Sequence, residues 1–458
     1  MSGATLHRRL ANFRQATRPE RRDPRLAESR ELAERMAVAL DGELLEDGLG
    51  RVVRCEPMTA VVPVDRERLA TLPGQPPADA PLVCLDTETT GLATAAGTLA
   101  WLVGLGWWEG DRFRQAQLLL PDHADEPALL ARLATHLPPA AWLVTYNGRG
   151  FDWPLLTTRY RMHRGGPPPH AGHLDLLPFV RRVFRHRLAD ARLRTVESVL
   201  LGVARHEDVD GWEIPSRYLA FLHGGPAEPL ADVVRHNRED VRSLGRLLAD
   251  IDFRFGARLD RADSHPGDLA GLARAFARER RLEEALELLD VALASAGGRR
   301  RSAAREGTLD SGADGADDDW WLPGRRADVG GPPRPSRGWP TVLTDRLESP
   351  WTEERITVER ARMLRRVGRF GEAVEAWRGI ASGSGAPAVH ALIEIAKLRE
   401  HRLGDPVGAL AATRRSWHLA ERRRLMGLGD PAVQRAIGVR IERLSRRLAD
   451  RSSVARTA

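Results

Sequence analysis

Cysteine and lysine are scarce in this 458-residue chain, and long apolar runs are absent. The two cysteines, Cys55 and Cys84, cannot build a disulfide framework, and their spacing does not indicate a zinc site. Residues 1–19 carry basic side chains but no apolar centre, so they do not resemble a signal peptide. No stretch approaches the length of a membrane span. We therefore expect a soluble, cytoplasmic protein of a reducing compartment.

The positive charge comes almost entirely from arginine, because Lys397 is the single lysine. The formal net charge is +7, and arginine forms bidentate contacts with phosphate. This balance suits a protein that binds nucleic acid. An arginine-rich genome would explain the arginine count equally well, so the charge supports a function without deciding it.

The length predicts two or three domains. Residues 1–75 form a charged lead-in, with a helix over 26–45 and a strand-like piece over 52–64, followed by a proline-rich boundary. Strand and helix patterns then alternate over 80–252, which is typical of an α/β domain. We expect strands over 99–108 and 113–120, which would form a meander.

The pattern changes to helical hairpins beyond residue 260. Apolar spacing over 260–294 matches a tetratricopeptide-like hairpin, and 351–450 is predicted to hold further helical repeats. Between them, 295–345 is rich in Gly, Arg, Asp, Ser and Pro, and we predict a disordered insert. Trp320 and Trp321 in this insert follow an acidic run and resemble a short docking motif.

The segment 82–92 joins an apolar run to two acidic residues, Asp86 and Glu88. Side chains two positions apart in a strand point to the same face, so these carboxylates should lie together at the strand end. Carboxylates held that close repel each other unless a cation lies between them. The pair therefore predicts a divalent-metal site, provided that further ligands follow downstream.

A second acidic position is Asp152, which follows a strand that breaks at Asn147 and Gly148. Asp152 lies at the start of the next predicted helix, where an aspartate is also an ordinary N-cap. Asp175, further along, is either an auxiliary carboxylate of the same site or the end of a strand or helix.

A third position lies on the helix predicted over 230–251. Asn237 and Asp240 occupy its apolar stripe, and His236 lies one turn before Asp240. An inward-facing carboxylate is costly without a cation, an arginine or solvent. Asp240 is therefore either a ligand of the predicted site or a hydrated residue at the helix edge.

Together, Asp86 and Glu88, then Asp152, then Asp240 resemble the DEDD exonucleases of the ribonuclease H-like superfamily, over about residues 82–252. Within that superfamily the chain is most similar to YprB-type ribonuclease H-like domains, which are also followed by tetratricopeptide-like helices. The resemblance implies an α/β fold with a mixed sheet flanked by helices, followed by an all-α helical-hairpin region. The segments that carry the similarity are Arg192–Glu197, Leu201–Val203, Ile214–Tyr218 and His236–Val241.

The resemblance also implies a metal-dependent 3′–5′ exonuclease that acts on DNA or RNA. Its four carboxylates would hold two Mg²⁺ or Mn²⁺ ions. Thr89 and Asn147 would contact the terminal nucleotide. DEDD enzymes place a tyrosine four residues, or a histidine five residues, before the last aspartate. His236 stands at the tyrosine spacing, so it either receives a proton from water or replaces the tyrosine structurally.

Two other functions remain open from the sequence. One is a scaffold that binds nucleic acid without cutting it. The other is an adaptor that binds a protein partner through the helical repeats, alone or together with a nuclease.

Overall fold

The computed structural model describes residues 24–457 except for 57–58, 92–96, 206–207, 257–263 and 306–351. Contacts divide the described residues into two compact units. The first extends through Arg66 and includes Pro76–Leu176 and Leu201–Asp250. The second comprises Glu67–Gln75, Leu177–Leu200 and the residues from Ile251 onward.

The first unit is built on a mixed sheet in which we describe eight strands. Five neighbouring pairs are antiparallel, whereas β4–β7 and β7–β8 are parallel, and the order is β1-β2-β6-β5-β4-β7-β8 with β3 paired to β6. The strands are β1 Glu43–Asp47, β2 Gly50–Cys55, β3 Ala60–Val61, β4 Leu82–Thr89, β5 Ala100–Glu109, β6 Arg112–Leu119, β7 Trp142–Thr145 and β8 Gly172–Asp175.

Helices flank this sheet and cover its apolar faces. Trp101 on β5 is fully buried and stacks on Tyr218, with ring centroids 4.5 Å apart. The Tyr218 hydroxyl donates to the carbonyl of Leu120, which satisfies its polar end. The helices from the start of the described chain are α1 Pro24–Ala39, α2 Arg66–Ala70, α3 Glu126–Thr135, α4 Asp152–Met162, α5 Leu176–Val183, α6 Leu193–Val196, α7 Ile214–Leu222 and α8 Leu230–Phe255. Of these, α6 and nearly all of α2 and α5 belong to the second unit, so the helices that flank the sheet come from the remaining five.

The lead-in contributes strands to the same sheet as the α/β region. β1 and β2 form a hairpin, and β2 pairs with β6 through Val53 and Leu119. The helix predicted over 26–45 ends at Ala39, because residues 43–47 form β1. The predicted meander strands are present as β5 and β6, which begin and end within a residue or so of the expected positions.

Paired helices make up most of the second unit. Neighbouring helices pack as α9 with α10, α11 with α12 and α13 with α14. Their bounds are α9 Pro266–Arg278, α10 Leu282–Arg305, α11 Glu353–Arg366, α12 Phe370–Ala381, α13 Ala386–His401, α14 Pro406–Leu425 and α15 Pro431–Thr457.

The insert predicted to be disordered over 295–345 begins differently in the structure. α10 continues through Arg305, so the first eleven residues of that prediction are helical. The rest, including Trp320 and Trp321, lies outside the described residues. None of the described helices combines the length and apolar character needed to cross a membrane.

Candidate metal-dependent active site

Asp86 and Glu88 project from β4, which lies between antiparallel β5 and parallel β7. Residues 82–85 of this strand are buried, whereas the two acidic residues are partly exposed. The register of β4 against β5 shifts between Glu88 and Thr89, so regular pairing ends beside the carboxylates. As the sequence predicts, side chains two positions apart share one face of β4, so both acids lie together at the end of its buried part.

α8 packs close to β4 because β5 carries glycine opposite Asp86. Asp86, Gly104 and Gln117 lie side by side across β4, β5 and β6. A Cβ atom on Gly104 would lie 2.1 Å from Oδ1 of Asn237, so only glycine leaves room for that side chain. Asn237 is fully buried in this space. Its Nδ2 donates to Oδ2 of Asp86 at 2.8 Å, and its Oδ1 accepts from Gln117 at 3.0 Å.

His236 and Asp240 lie one turn apart on α8 and both reach the β4 carboxylates. The Nε2 atom of His236 is 3.9 Å from Oε1 of Glu88 and 3.7 Å from Oδ2 of Asp240. The apolar stripe of α8, including Val233, Val241 and Leu244, is buried. Burial of this stripe fixes the rotation of the helix and turns Asp240 toward the site.

Asp152 begins α4 and accepts a hydrogen bond from the Thr87 hydroxyl at 2.5 Å. The residue at the N-cap position of α4 is Phe151, whose side chain makes no capping bond. The alternative that Asp152 acts as an N-cap is therefore wrong. Asp152 is 6% exposed, and its carboxylate contacts Thr87 on β4.

Burial and neighbouring charges disfavour the ionised forms of the β4 carboxylates, and burial disfavours that of Asp152. Burial, followed by the charges of Asp240 and Glu88, raises the pKa of Asp86 well above its usual range. Burial and the charge of Asp240 likewise raise the pKa of Glu88. Burial raises the pKa of Asp152 to about 6, although the bond from Thr87 opposes this shift. The folded chain therefore holds negative charge together at a cost that a cation would offset.

Sequence reasoning missed two further residues at this site, Arg205 and Asp208. Oδ1 of Asp208 lies 2.6 Å from Nδ1 of His236, and Oδ2 lies 3.4 Å from the guanidinium of Arg205. Arg205 also forms an ion pair with Asp240. Although burial opposes the shift, the hydrogen bond from His236 holds the pKa of Asp208 below its usual range. The charged run at 205–208 was visible in the sequence, but its spacing did not connect it to α8.

The two residues expected to contact substrate have other recorded partners. The Thr89 hydroxyl donates to the Gly91 carbonyl at 2.6 Å, and Asn147 is exposed with a left-handed φ of 68°. Asp175 ends β8 and accepts from the backbone amides of Asn147 and Arg149, at 2.8 and 3.2 Å. Asp175 therefore holds the loop that precedes α4. The substrate-binding role of Thr89 and Asn147 stays a prediction.

The donor set fits divalent cations of the magnesium type. All four residues offer carboxylate oxygens, which Mg²⁺ and Mn²⁺ prefer over softer ligands. Burial raises the pKa of three of them, and repulsion within the site adds to the shift for Asp86 and Glu88, which is the electrostatic condition that a bound cation relieves. Asp86, Glu88, Asp152 and Asp240 are therefore the residues that would hold the ions.

In the second unit, His186, His265 and Asp268 also group potential ligand atoms within 4.8 Å of one another. The bonds in this group favour a structural role. Nδ1 of His265 accepts from the backbone amide of Gly267 at 3.0 Å, which caps α9. Asp268 pairs with Arg187 at 2.9 Å. A divalent cation would have to displace both interactions.

Comparison with known proteins finds a similarity that covers the sheet and α8. A family model described as the RNase_H superfamily matches residues 83–251. The chain is also 34% identical over 211 residues to the uncharacterized protein YprB of Bacillus subtilis (strain 168). That alignment covers 46% of this chain and 51% of YprB, so the chain spans about half the length of the curated relative.

These matches confirm the predicted resemblance and the fold class, a mixed sheet flanked by helices and followed by a helical region. All the site residues described above lie within the matched range. The match to this superfamily model supports a nuclease function and an interaction with nucleic acid for residues 83–251.

Proposed function

We propose that this chain is a metal-dependent 3′–5′ exonuclease, and the similarity of residues 83–251 to the RNase_H superfamily model and to YprB supports this proposal. The observation that carries the proposal is the convergence of Asp86, Glu88, Asp152 and Asp240, brought from β4, α4 and α8 to one place. A largely buried cluster of four acids has no evident structural purpose, since it lowers stability unless cations are bound.

The protein residues have distinct parts in this proposal. The four carboxylates hold two Mg²⁺ or Mn²⁺ ions, which would activate water and stabilise the leaving oxygen when bound. Asn237 orients Asp86, and Thr87 orients Asp152, through the hydrogen bonds described above. His236, whose Nε2 faces Glu88 and Asp240, accepts a proton from the attacking water. Thr89 and Asn147 would contact the terminal nucleotide.

The test is hydrolysis of 5′-labelled single-stranded DNA and RNA oligonucleotides with Mn²⁺ or Mg²⁺. We expect wild type to shorten the strand from its 3′ end and Asp86→Asn to lose orders of magnitude in rate. Asp111→Asn, which removes an exposed carboxylate from the β5–β6 turn, is the matched control and should cut normally. Cleavage that survives Asp86→Asn, or that proceeds without metal, would contradict the proposal.

The ion pair of Arg205 with Asp240 favours one alternative, a domain that binds nucleic acid without cutting it. In that case the arginine would supply the positive charge that the acidic cluster requires. A folded wild-type protein that binds the labelled strands but cuts neither would support this alternative. Manganese binding measured by calorimetry would then be absent as well.

A second observation favours an accessory role for the helical region. Leu425, Met426 and Leu428 are exposed by 58–74% at the turn between α14 and α15, where they offer an apolar contact for a protein partner. In a pull-down with the full chain, changing all three residues to serine should abolish co-purification of a partner protein. Oligonucleotide cleavage should remain unchanged. Capture that survives the triple change would exclude this surface.

A further inference from the structure

The position of His236 relative to Asp208 explains how a histidine at this helical position reaches the active site. We infer that Asp208 is a positioning residue that fixes the His236 ring, so that the Nε2 lone pair of the ring faces the carboxylate cluster. This inference rests on the proposed function and deepens it.

The hydrogen bond between the two residues determines which ring nitrogen carries the proton. A carboxylate only accepts, so Nδ1 of His236, 2.6 Å from Oδ1 of Asp208, must be the protonated nitrogen. In a neutral imidazole the other nitrogen then has a free lone pair. That nitrogen is Nε2, which faces Glu88 and Asp240 across 3.9 and 3.7 Å. Both separations exceed a direct hydrogen bond, so neither carboxylate occupies the Nε2 lone pair.

Asp208 is itself held in place from two further directions. The backbone amide of Val209 donates to Oδ1 of Asp208 at 3.1 Å, and the Val209 side chain is buried in the core. Arg205 lies on the other oxygen at 3.4 Å. The Asp208 side chain is only 9% exposed, so it has little freedom to turn toward solvent. These contacts restrain the Asp208 carboxylate, so its hydrogen bond can hold the His236 ring in one orientation.

A structural role is the competing explanation, because the same bond also ties residues 208–213, which precede α7, to α8. The two roles differ in what they predict for the ring. A structural tie requires only that the two residues touch. Positioning requires that the proton sits on Nδ1 and that loss of Asp208 changes the reaction step without changing substrate affinity.

The first measurement is the tautomer of His236 in the full, metal-free chain. Proteins labelled with ¹⁵N-histidine would be examined by NMR at a series of pH values, so that the neutral ring is observed directly. The signal of His236 among the 14 histidines would be assigned with His236→Gln. We expect the proton on Nδ1 in wild type and a shift toward Nε2 in Asp208→Ala. Asp210→Ala removes an exposed carboxylate from the same loop and should leave the signal unchanged.

The second measurement is the cleavage rate of the same proteins on labelled oligonucleotides. Removal of a residue that orients a catalytic group typically costs about 10–100-fold. We expect that loss in kcat for Asp208→Ala, with KM for the oligonucleotide unchanged, and wild-type kinetics for Asp210→Ala. If Asp208→Ala fails to fold, Asp208→Asn keeps the size of the side chain. Its neutral oxygen is a weaker acceptor, so the tautomer should shift in the same direction.

The outcomes separate this inference from the proposed function. A proton on Nε2 in wild type, or a tautomer that Asp208→Ala leaves unchanged, would overturn the positioning role even if the enzyme is active. A shifted tautomer with unchanged kcat would also overturn it and leave a structural tie. A wild-type protein with the expected tautomer but no cleavage would instead contradict the proposed nuclease.

Discussion

The side-chain amide of Asn237 donates to the carboxylate of Asp86 across 2.8 Å, through the gap that Gly104 leaves in β5. Gln117 donates to the oxygen of the same amide, which fixes its nitrogen toward Asp86. One metal-binding candidate on β4 is thus oriented by a helix more than 140 residues later in the chain, at position 237. A change at Asn237 therefore alters how the Asp86 carboxylate is oriented and leaves the carboxylate itself in place.

Replacing Asn237 with alanine should weaken binding of Mn²⁺ while all four carboxylates remain. Loss of a residue that orients a ligand typically lowers metal affinity by about 10–100-fold. Isothermal titration calorimetry would measure the change. Gln115→Ala is a matched control, because Gln115 is another buried amide that donates to α8, at the carbonyl of Arg238, without contacting a carboxylate of the site. Equal affinities for both variants would contradict the orienting role.

The metal-free protein should lose stability as the pH rises through the range in which Asp152 ionises. The pKa of Asp152 is raised from 3.8 to about 6 in the folded state, so the folded protein binds the proton more tightly than the unfolded chain. The stability from protonation is present below about pH 4 and is lost by about pH 6, on the order of 2–3 kcal/mol.

Thermal unfolding at several pH values would test this expectation. Asp152→Asn keeps an oxygen that accepts from Thr87 but cannot ionise, so its melting temperature should fall less than that of wild type over the same range. Saturating Mg²⁺ or Mn²⁺ should raise the wild-type melting temperature at neutral pH and have little effect on the variant. If the melting temperatures of the two proteins depended on pH in the same way, ionisation of Asp152 would not destabilise the folded protein.

Gly104→Ala should damage the site without altering any polar group. The new Cβ would lie 2.1 Å from Oδ1 of Asn237 and 2.8 Å from Cγ2 of Val241, so α8 must move away from the sheet. Overpacking of this kind costs about 1–3 kcal/mol. We expect urea unfolding to show that loss in the free energy of unfolding. The cleavage rate should fall by a larger proportion. Gly48→Ala, where a Cβ meets nothing within 4 Å, should leave both unchanged.

Asp175→Ala should loosen the loop at 147–150 that leads to Asp152. Asp175 accepts from two backbone amides of this loop, and both bonds are lost in the variant. Hydrogen–deuterium exchange of a peptide over 146–151 should become faster, and the cleavage rate should fall by roughly 10-fold. Asp190→Ala removes a carboxylate that also accepts a backbone amide, from Arg192, and serves as the control. If the exchange rate did not change, the two bonds to Asp175 would not be what stabilises the loop.

The sequence contained enough to predict the elements that carry the candidate ligands. The two-residue period of a strand predicts that Asp86 and Glu88 point in the same direction from β4. The apolar stripe of α8 predicts the direction of Asp240. Both patterns are local, so the sequence alone is enough to recognise them. The position of Asp152 was predictable but its alternative role as a cap could be excluded only with the contact to Thr87 in view.

The sequence did not predict features that depend on distant parts of the chain. Arg205 and Asp208 join the site through contacts with Asp240 and His236, and no local repeat in the sequence predicts those contacts. The pairing of β2 with β6 joins residues more than 60 positions apart, and no local pattern encodes that register. The continuation of α10 to Arg305 also escaped notice, since glycine and arginine in that stretch favoured an irregular segment.

The order of the ligands along the chain has a consequence for synthesis. Asp86, Glu88 and Asp152 precede Asp240 and His236, which lie on a helix that begins only at Leu230. During translation the sheet strands emerge first, and the acidic set is completed only when this helix has left the ribosome and packed over Gly104. Chains that terminate before residue 240 would carry an incomplete set of these side chains, so the candidate site exists only in chains that have completed α8.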